Sequence, residues 1–95
     1  MGYIILMSAD HISLSRYVYH PEKGPAFTRN EVRVVHFSLC DYCVKDIADE
    51  LDIKSLSVYK YRERIVDKTP VHSFEAALVW ILSEGIFSVE REMAG

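Results

Sequence analysis

The chain of 95 residues has only two cysteines, three prolines, four glycines and one tryptophan. Two cysteines, Cys40 and Cys43 at C-x-x-C spacing, do not make the disulfide framework of a small secreted domain. No apolar run approaches the roughly 20 residues that a membrane span needs. The opening Gly2-Tyr3-Ile4-Ile5-Leu6-Met7 is short and lacks the basic flank of a secretory signal, so a cytoplasmic protein with no membrane partner is expected. The chain also lacks a glycine-rich phosphate loop, an H-E-x-x-H and a nucleophile beside an obvious base, so no enzyme and no cofactor are expected. Internal repeats and low-complexity tracts are missing too.

What is present suits one globular domain with a modest core. Hydrophobic residues make up 49% and charged residues 26%, which argues against disorder. The net charge of -3 is unevenly spread. Between Val44 and Asp52, Lys45 is outweighed by Asp46, Asp49, Glu50 and Asp52. From Lys54 to Lys68 the sign reverses, with Lys54, Lys60, Arg62, Arg64 and Lys68 against Glu63 and Asp67. Beyond that, Glu75, Glu84, Glu90 and Glu92 face Arg91. A basic segment inside an acidic chain is a local electrostatic footprint that whole-chain charge hides; its plainer reading is a solvated helix face.

Residues 1–26 read as an N-terminal arm, extended or folded as a β-hairpin, with the Tyr3–Met7 run and the strand formers Tyr17-Val18-Tyr19 as its two sides. His20 to Pro25 is a turn or linker. Residues 27–95 form the domain proper. Thr28 and Glu31 make a capping box, and Phe27 and Val32 occupy the positions of a hydrophobic staple. Helical spacing then predicts four helices, over about 29–39, 44–51, from near Leu56 to 68, and 74–84. Ser73 caps the fourth, and Gly85-Ile86 carries the pattern of a Schellman stop.

The second and third helices are the informative pair. A helix-turn-helix needs a small residue at the crossing, a short turn and apolar residues that lock the angle. Ala48 is the small residue, Ile47 and Leu51 complete the inner face, and Ile53 plugs the turn. Val58, Tyr61 and Ile65 anchor the next helix. Asp52 stands where such turns usually place glycine.

From Phe27 to Lys68, FTRNEVRVVHFSLCDYCVKDIADELDIKSLSVYKYRERIVDK resembles the DNA-binding domain of LuxR/GerE-type bacterial regulators. That pattern reads L-T-x-x-E-x-x-V-L, then K-E-I-A-x-x-L-x-I-S-x-x-T-V-x-x-H-x-x-x-I-x-x-K. Phe27, Thr28, Glu31, Val34, Val35, Lys45, Asp46, Ile47, Ala48, Leu51, Ile53, Ser57, Val58, Ile65 and Lys68 fall on it without a gap. Val71 to Phe87 is similar to the family's last helix if the preceding loop is one residue shorter, so the resemblance reaches about residue 86. Asp41 replaces the family's glycine, Lys54 its serine, Tyr61 its histidine and Thr69-Pro70 its leucine-glycine. These departures bear most on operator preference.

The resemblance implies a mainly α, four-helix LuxR-type domain and a transcriptional regulator whose third helix, about 56–68, enters the major groove of double-stranded DNA. It also implies a homodimer joined through the fourth helix. With Val58 and Ile65 inward, Tyr59, Lys60 and Glu63 face outward and are the candidate base contacts. Glu63 equally suits an ion pair with Lys60 or Arg64 on an exposed helix. Lys54, Ser57, Arg62, Arg64 and Lys68 are the candidate phosphate contacts. The fourth helix is apolar nearly all round, which marks Leu78, Val79, Trp80 and Leu82 as a dimer interface unless the N-terminal hairpin covers them.

Cys40 falls at the end of the first helix, Asp41 takes the turn, and Cys43 sits at a cap position. A zinc site at His36, Cys40 and Cys43 would need a fourth ligand, neither His20 nor His72 has a helpful spacing for it, and no metal is expected. Thiols at helix N-termini are the more reactive kind, so Cys43 is the one to test. The alternative function is a protein-interaction module of helix-turn-helix ancestry that partners or antagonises another regulator without touching DNA.

Overall fold

The computed structural model of the chain describes residues 15–91. They form β1 (Ser15–Tyr19), α1 (Arg29–Leu39), α2 (Val44–Leu51), α3 (Ser55–Asp67), α4 (Phe74–Ser83) and β2 (Phe87–Arg91). A single 3-10 turn at Pro21–Lys23 stands between β1 and α1. The molecule is therefore mainly helical over these residues, with one small sheet.

The helices begin where short side chains can cap them. Thr28 Oγ1 accepts the Glu31 N–H and Glu31 Oε1 accepts the Thr28 N–H, a complete capping box. Ser73 Oγ accepts the Ala76 N–H at the start of α4. Cys43 holds the corresponding position before α2, but its side chain makes no cap hydrogen bond.

Three helices stop in one way. Asp41, Asp52 and Gly85 have φ of 68°, 56° and 73°, the left-handed region. The next N–H in each case reaches back to a carbonyl inside the helix: Tyr42 to Phe37, Ile53 to Ala48 and Ile86 to Ile81, each at 3.0 Å. The following side chain then folds onto the helix it has left. Tyr42 lies on Phe37 with ring centroids 4.9 Å apart, and Ile86 is buried with Ile81.

The core draws on every helix: Val34 and Val35, Ile47 and Ala48, Val58 and Ile65, then Phe74, Ala77 and Ile81. Burying a side chain such as Ile65 contributes about 1.5–3 kcal/mol. Ile86 and Phe87 add a final layer over α4. Part of α4's apolar surplus is thus covered from within the chain, by the segment that follows it. Among the described residues no helix is long and apolar enough to cross a membrane.

The sheet pairs the strand formers of the expected arm with a partner that the sequence did not signal. β1 pairs antiparallel with β2, Tyr17 opposite Val89 and Tyr19 opposite Phe87. The Tyr3–Met7 run, the other side of the expected hairpin, lies outside the described residues. Phe87 explains the pairing: its ring is buried and packs 5.2 Å from Tyr19, so β2 brings a core anchor with it. The His20 N–H donates to the Ile86 carbonyl at 2.7 Å, and a His20 Nε2–Ser88 Oγ contact of 2.8 Å closes the corner. A Cβ on Gly24 would run into the buried Ile86 side chain, so any larger residue here would displace it.

Candidate nucleic-acid interface

α2 and α3 are joined by Asp52, Ile53 and Lys54, and the connection is fixed at both ends. Asp52 ends α2 in the left-handed region, and the Lys54 carbonyl accepts the Ser57 N–H at 2.9 Å to open α3. Ile47 and Ala48 of α2 and Val58 of α3 are buried, so the hinge between the helices is packed. Helix periodicity then turns the opposite side of α3 outward. Leu56, Tyr59, Lys60, Glu63 and Asp67 are all exposed there, Leu56 at 64% and Tyr59 at 51%.

The three candidate base contacts, Tyr59, Lys60 and Glu63, therefore share one accessible face. Glu63 makes no ion pair among the described residues, so the expected pairing with Lys60 or Arg64 is not formed. The phosphate candidates separate into free and engaged groups. Lys54 and Arg64 are exposed and Ser57 is half-buried. Arg64 lies 5.5 Å from the centre of the Tyr61 ring.

Arg62 and Lys68 are used inside the molecule. Arg62 donates to Glu75 Oε2 at 3.4 Å and lies 4.4 Å over Phe74 and 5.4 Å over Tyr59. Lys68 Nζ donates to Glu31 Oε1 at 2.6 Å and to the Ala26 carbonyl at 2.9 Å. Glu31 is only 2% exposed. Burial by itself would push its carboxyl up, but the Lys68 ammonium and the Thr28 hydrogen bonds outweigh that and hold it below its ordinary value. Lys68 is thus the partner of a buried carboxylate. Sequence reasoning grouped it with the basic run because nothing in spacing links residues so far apart.

Asn30 was also passed over. Its Nδ2 donates to Tyr61 Oη at 3.0 Å and ties α1 to the middle of α3. No local pattern signals a contact between residues 31 apart.

Of the four expected interface residues on α4, Val79 is 68% exposed and Leu82 38%. Leu78 and Trp80 are half-buried and pack against the core, so the open apolar face is narrower than the sequence suggests. Cys40 is half-buried, 4.0 Å from His36 Nε2, and burial pushes its thiol up. Cys43 is exposed. Among the described residues no three His, Cys, Asp or Glu side chains are grouped to hold a metal.

No protein-family model matches the chain, nor does any curated protein or solved structure.

Proposed function

We propose that the chain is a DNA-binding transcriptional regulator of the LuxR/GerE type, with α3 entering the major groove. The observation that carries this reading is the division of α3 into two sides. Val58 and Ile65 are fully buried under the other helices, while Tyr59, Lys60 and Glu63 stand together on the accessible side. Lys donates to guanine O6 and N7, Glu accepts from cytosine N4, and Tyr stacks or hydrogen-bonds with less selectivity. Lys54, Ser57 and Arg64 flank that side as phosphate contacts, which set register without reading sequence. Such a regulator acts in the cytoplasm as a homodimer, with Val79 and Leu82 at the centre of the α4 interface and Leu78 and Trp80 at its margin.

Selection of bound duplexes from a random pool tests the reading. A two-fold-symmetric consensus is expected, because symmetric dimers read two half-sites. Lys60→Ala should then change the preferred base at one position of each half-site. No enrichment, together with no salt-dependent binding to any duplex, would sink the proposal.

One observation favours a second reading, a protein-interaction module. Leu56 is 64% exposed on the same face as Glu63 and Asp67, a mixture of apolar and acidic groups that suits a protein surface as well as a groove. A stable complex with another regulator, in a protein that retards no DNA, is the outcome that selects it.

A further inference from the structure

The two flanks of α3 carry opposite electrostatics. On the α4 side, Arg62 is held by Glu75, and Glu63 and Asp67 line an open groove of about 380 Å³ beside it. A cation already neutralised by a carboxylate releases no counterion when a phosphate approaches. On the α1 side the arrangement differs. Asn30 fastens α1 to Tyr61, and the guanidinium of Arg64 lies against the Tyr61 ring. Arg33 follows Asn30 by about one helical turn and so occupies the same flank of α1. Among the described residues neither Arg33 nor Arg64 is in an ion pair. The acid nearest in sequence on α1, Glu31, is buried and satisfied by Lys68.

We infer that Arg33 and Arg64, aligned by the Asn30–Tyr61 hydrogen bond, form a phosphate track, so that duplex DNA is gripped from the α1 side of α3 and not from the α4 side. The inference rests on the reading of α3 as a major-groove helix and names the flank that supplies its affinity. Charge complementarity selects the occupant: planar guanidinium groups match phosphate oxygens in a way that a lysine point charge does not. Tyr61 is a positioning residue, because it acts through Arg64.

The test is fluorescence anisotropy of the full chain with a short random-sequence duplex over a range of salt, with thermal unfolding of every variant as a control. The wild-type log affinity should fall linearly with log salt. Arg33→Ala and Arg64→Ala should each reduce that slope by about one and weaken random duplexes alike. Arg62→Ala should leave the slope unchanged. Tyr61→Phe keeps the ring and loses the tie to Asn30, so it should lower the slope by a fraction of that while remaining folded. An unchanged slope in folded Arg33→Ala, or an equal drop in Arg62→Ala, would overturn the track while leaving the DNA reading intact. Wild-type protein with no salt-dependent binding would overturn both. Binding to poly-glutamate as tight as to the duplex would also overturn the track, because the surface would then answer to any polyanion.

Discussion

α1 and α2 both support α3, and they are held in place by different means. α1 begins with a reciprocal capping box, and the carboxylate of that box is also the buried partner of Lys68 at the far end of α3. One side chain, Glu31, therefore starts a helix and joins it to another. α2 is only eight residues long, begins at a cysteine that caps nothing, and ends at an aspartate in the left-handed region. An isolated helix of that length does not persist in water. Its order comes from Ile47 and Ala48 in the core. Anchoring by local hydrogen bonds in one helix and by packing in the other predicts that substitutions at their ends will move stability in opposite directions.

The largest effect is expected at the anchored end. Lys68→Ala leaves the Glu31 carboxylate buried with only the Thr28 N–H as its hydrogen-bond partner, and breaking a buried pair in this way costs about 3 kcal/mol. Chemical denaturation at neutral pH measures it. The pH profile gives a second readout. The folded-state pKa of Glu31 lies below its ordinary value, so the unfolded chain takes up the proton first as pH falls. Its contribution is complete above the unfolded pKa of about 4.3 and is lost as pH drops through the lowered folded value. Lys68→Ala should flatten that acid limb. If Lys68 instead contributed only to DNA affinity, the variant would melt like the wild type and bind duplexes less tightly.

The same pair marks where the sequence was legible. Thr28, Glu31, Ser73, Gly85 and Ile86 act within one turn of a helix, so their spacing predicts their contacts, and the helices begin and end within a residue or so of where those signals lie. β2 escaped because strand pairing is non-local: Phe87 meets Tyr19 across most of the chain, and a five-residue strand carries little signal of its own. At the candidate site, the outward direction of Tyr59, Lys60 and Glu63 followed from helical period alone. The fates of Arg62 and Lys68 did not, because Glu75 and Glu31 come from other helices. Charge can be read along a chain; which charges are already spoken for depends on the fold.

The unanchored end should respond in the favourable direction. Cys43→Ser puts a hydroxyl at the N-cap of α2, in a backbone conformation (φ -78°, ψ 168°) that suits it. A cap of that kind stabilises by about 1 kcal/mol. A rise in denaturation midpoint with no change in the slope against denaturant would show a gain in stability without a change in compactness. The exchange also removes the exposed thiol. If DNA affinity or oligomeric state then differs only under oxidising conditions, Cys43 has a modulating role; if neither differs under any condition, it is a cap position filled by a poor cap.

The smallest stabilisation is expected from Asp52→Gly, and the position separates the turn from the helices it joins. Asp tolerates the left-handed region better than most residues, but glycine meets no Cβ penalty there, so Asp52→Gly should stabilise by about 0.5 kcal/mol after its own loss of chain entropy. Asp52→Ala keeps the Cβ and loses the polar side chain that eases this conformation, so it should destabilise by about 1 kcal/mol. Opposite signs in the two variants would show that backbone strain at the α2–α3 turn, rather than any contact of the exposed carboxylate, sets the cost. Equal losses in both would assign the cost to the carboxylate. Because this turn sets the angle at which α3 leaves α2, a stabilised Asp52→Gly should bind duplex DNA no less tightly than the wild type, with α2 better ordered and α3 aimed as before.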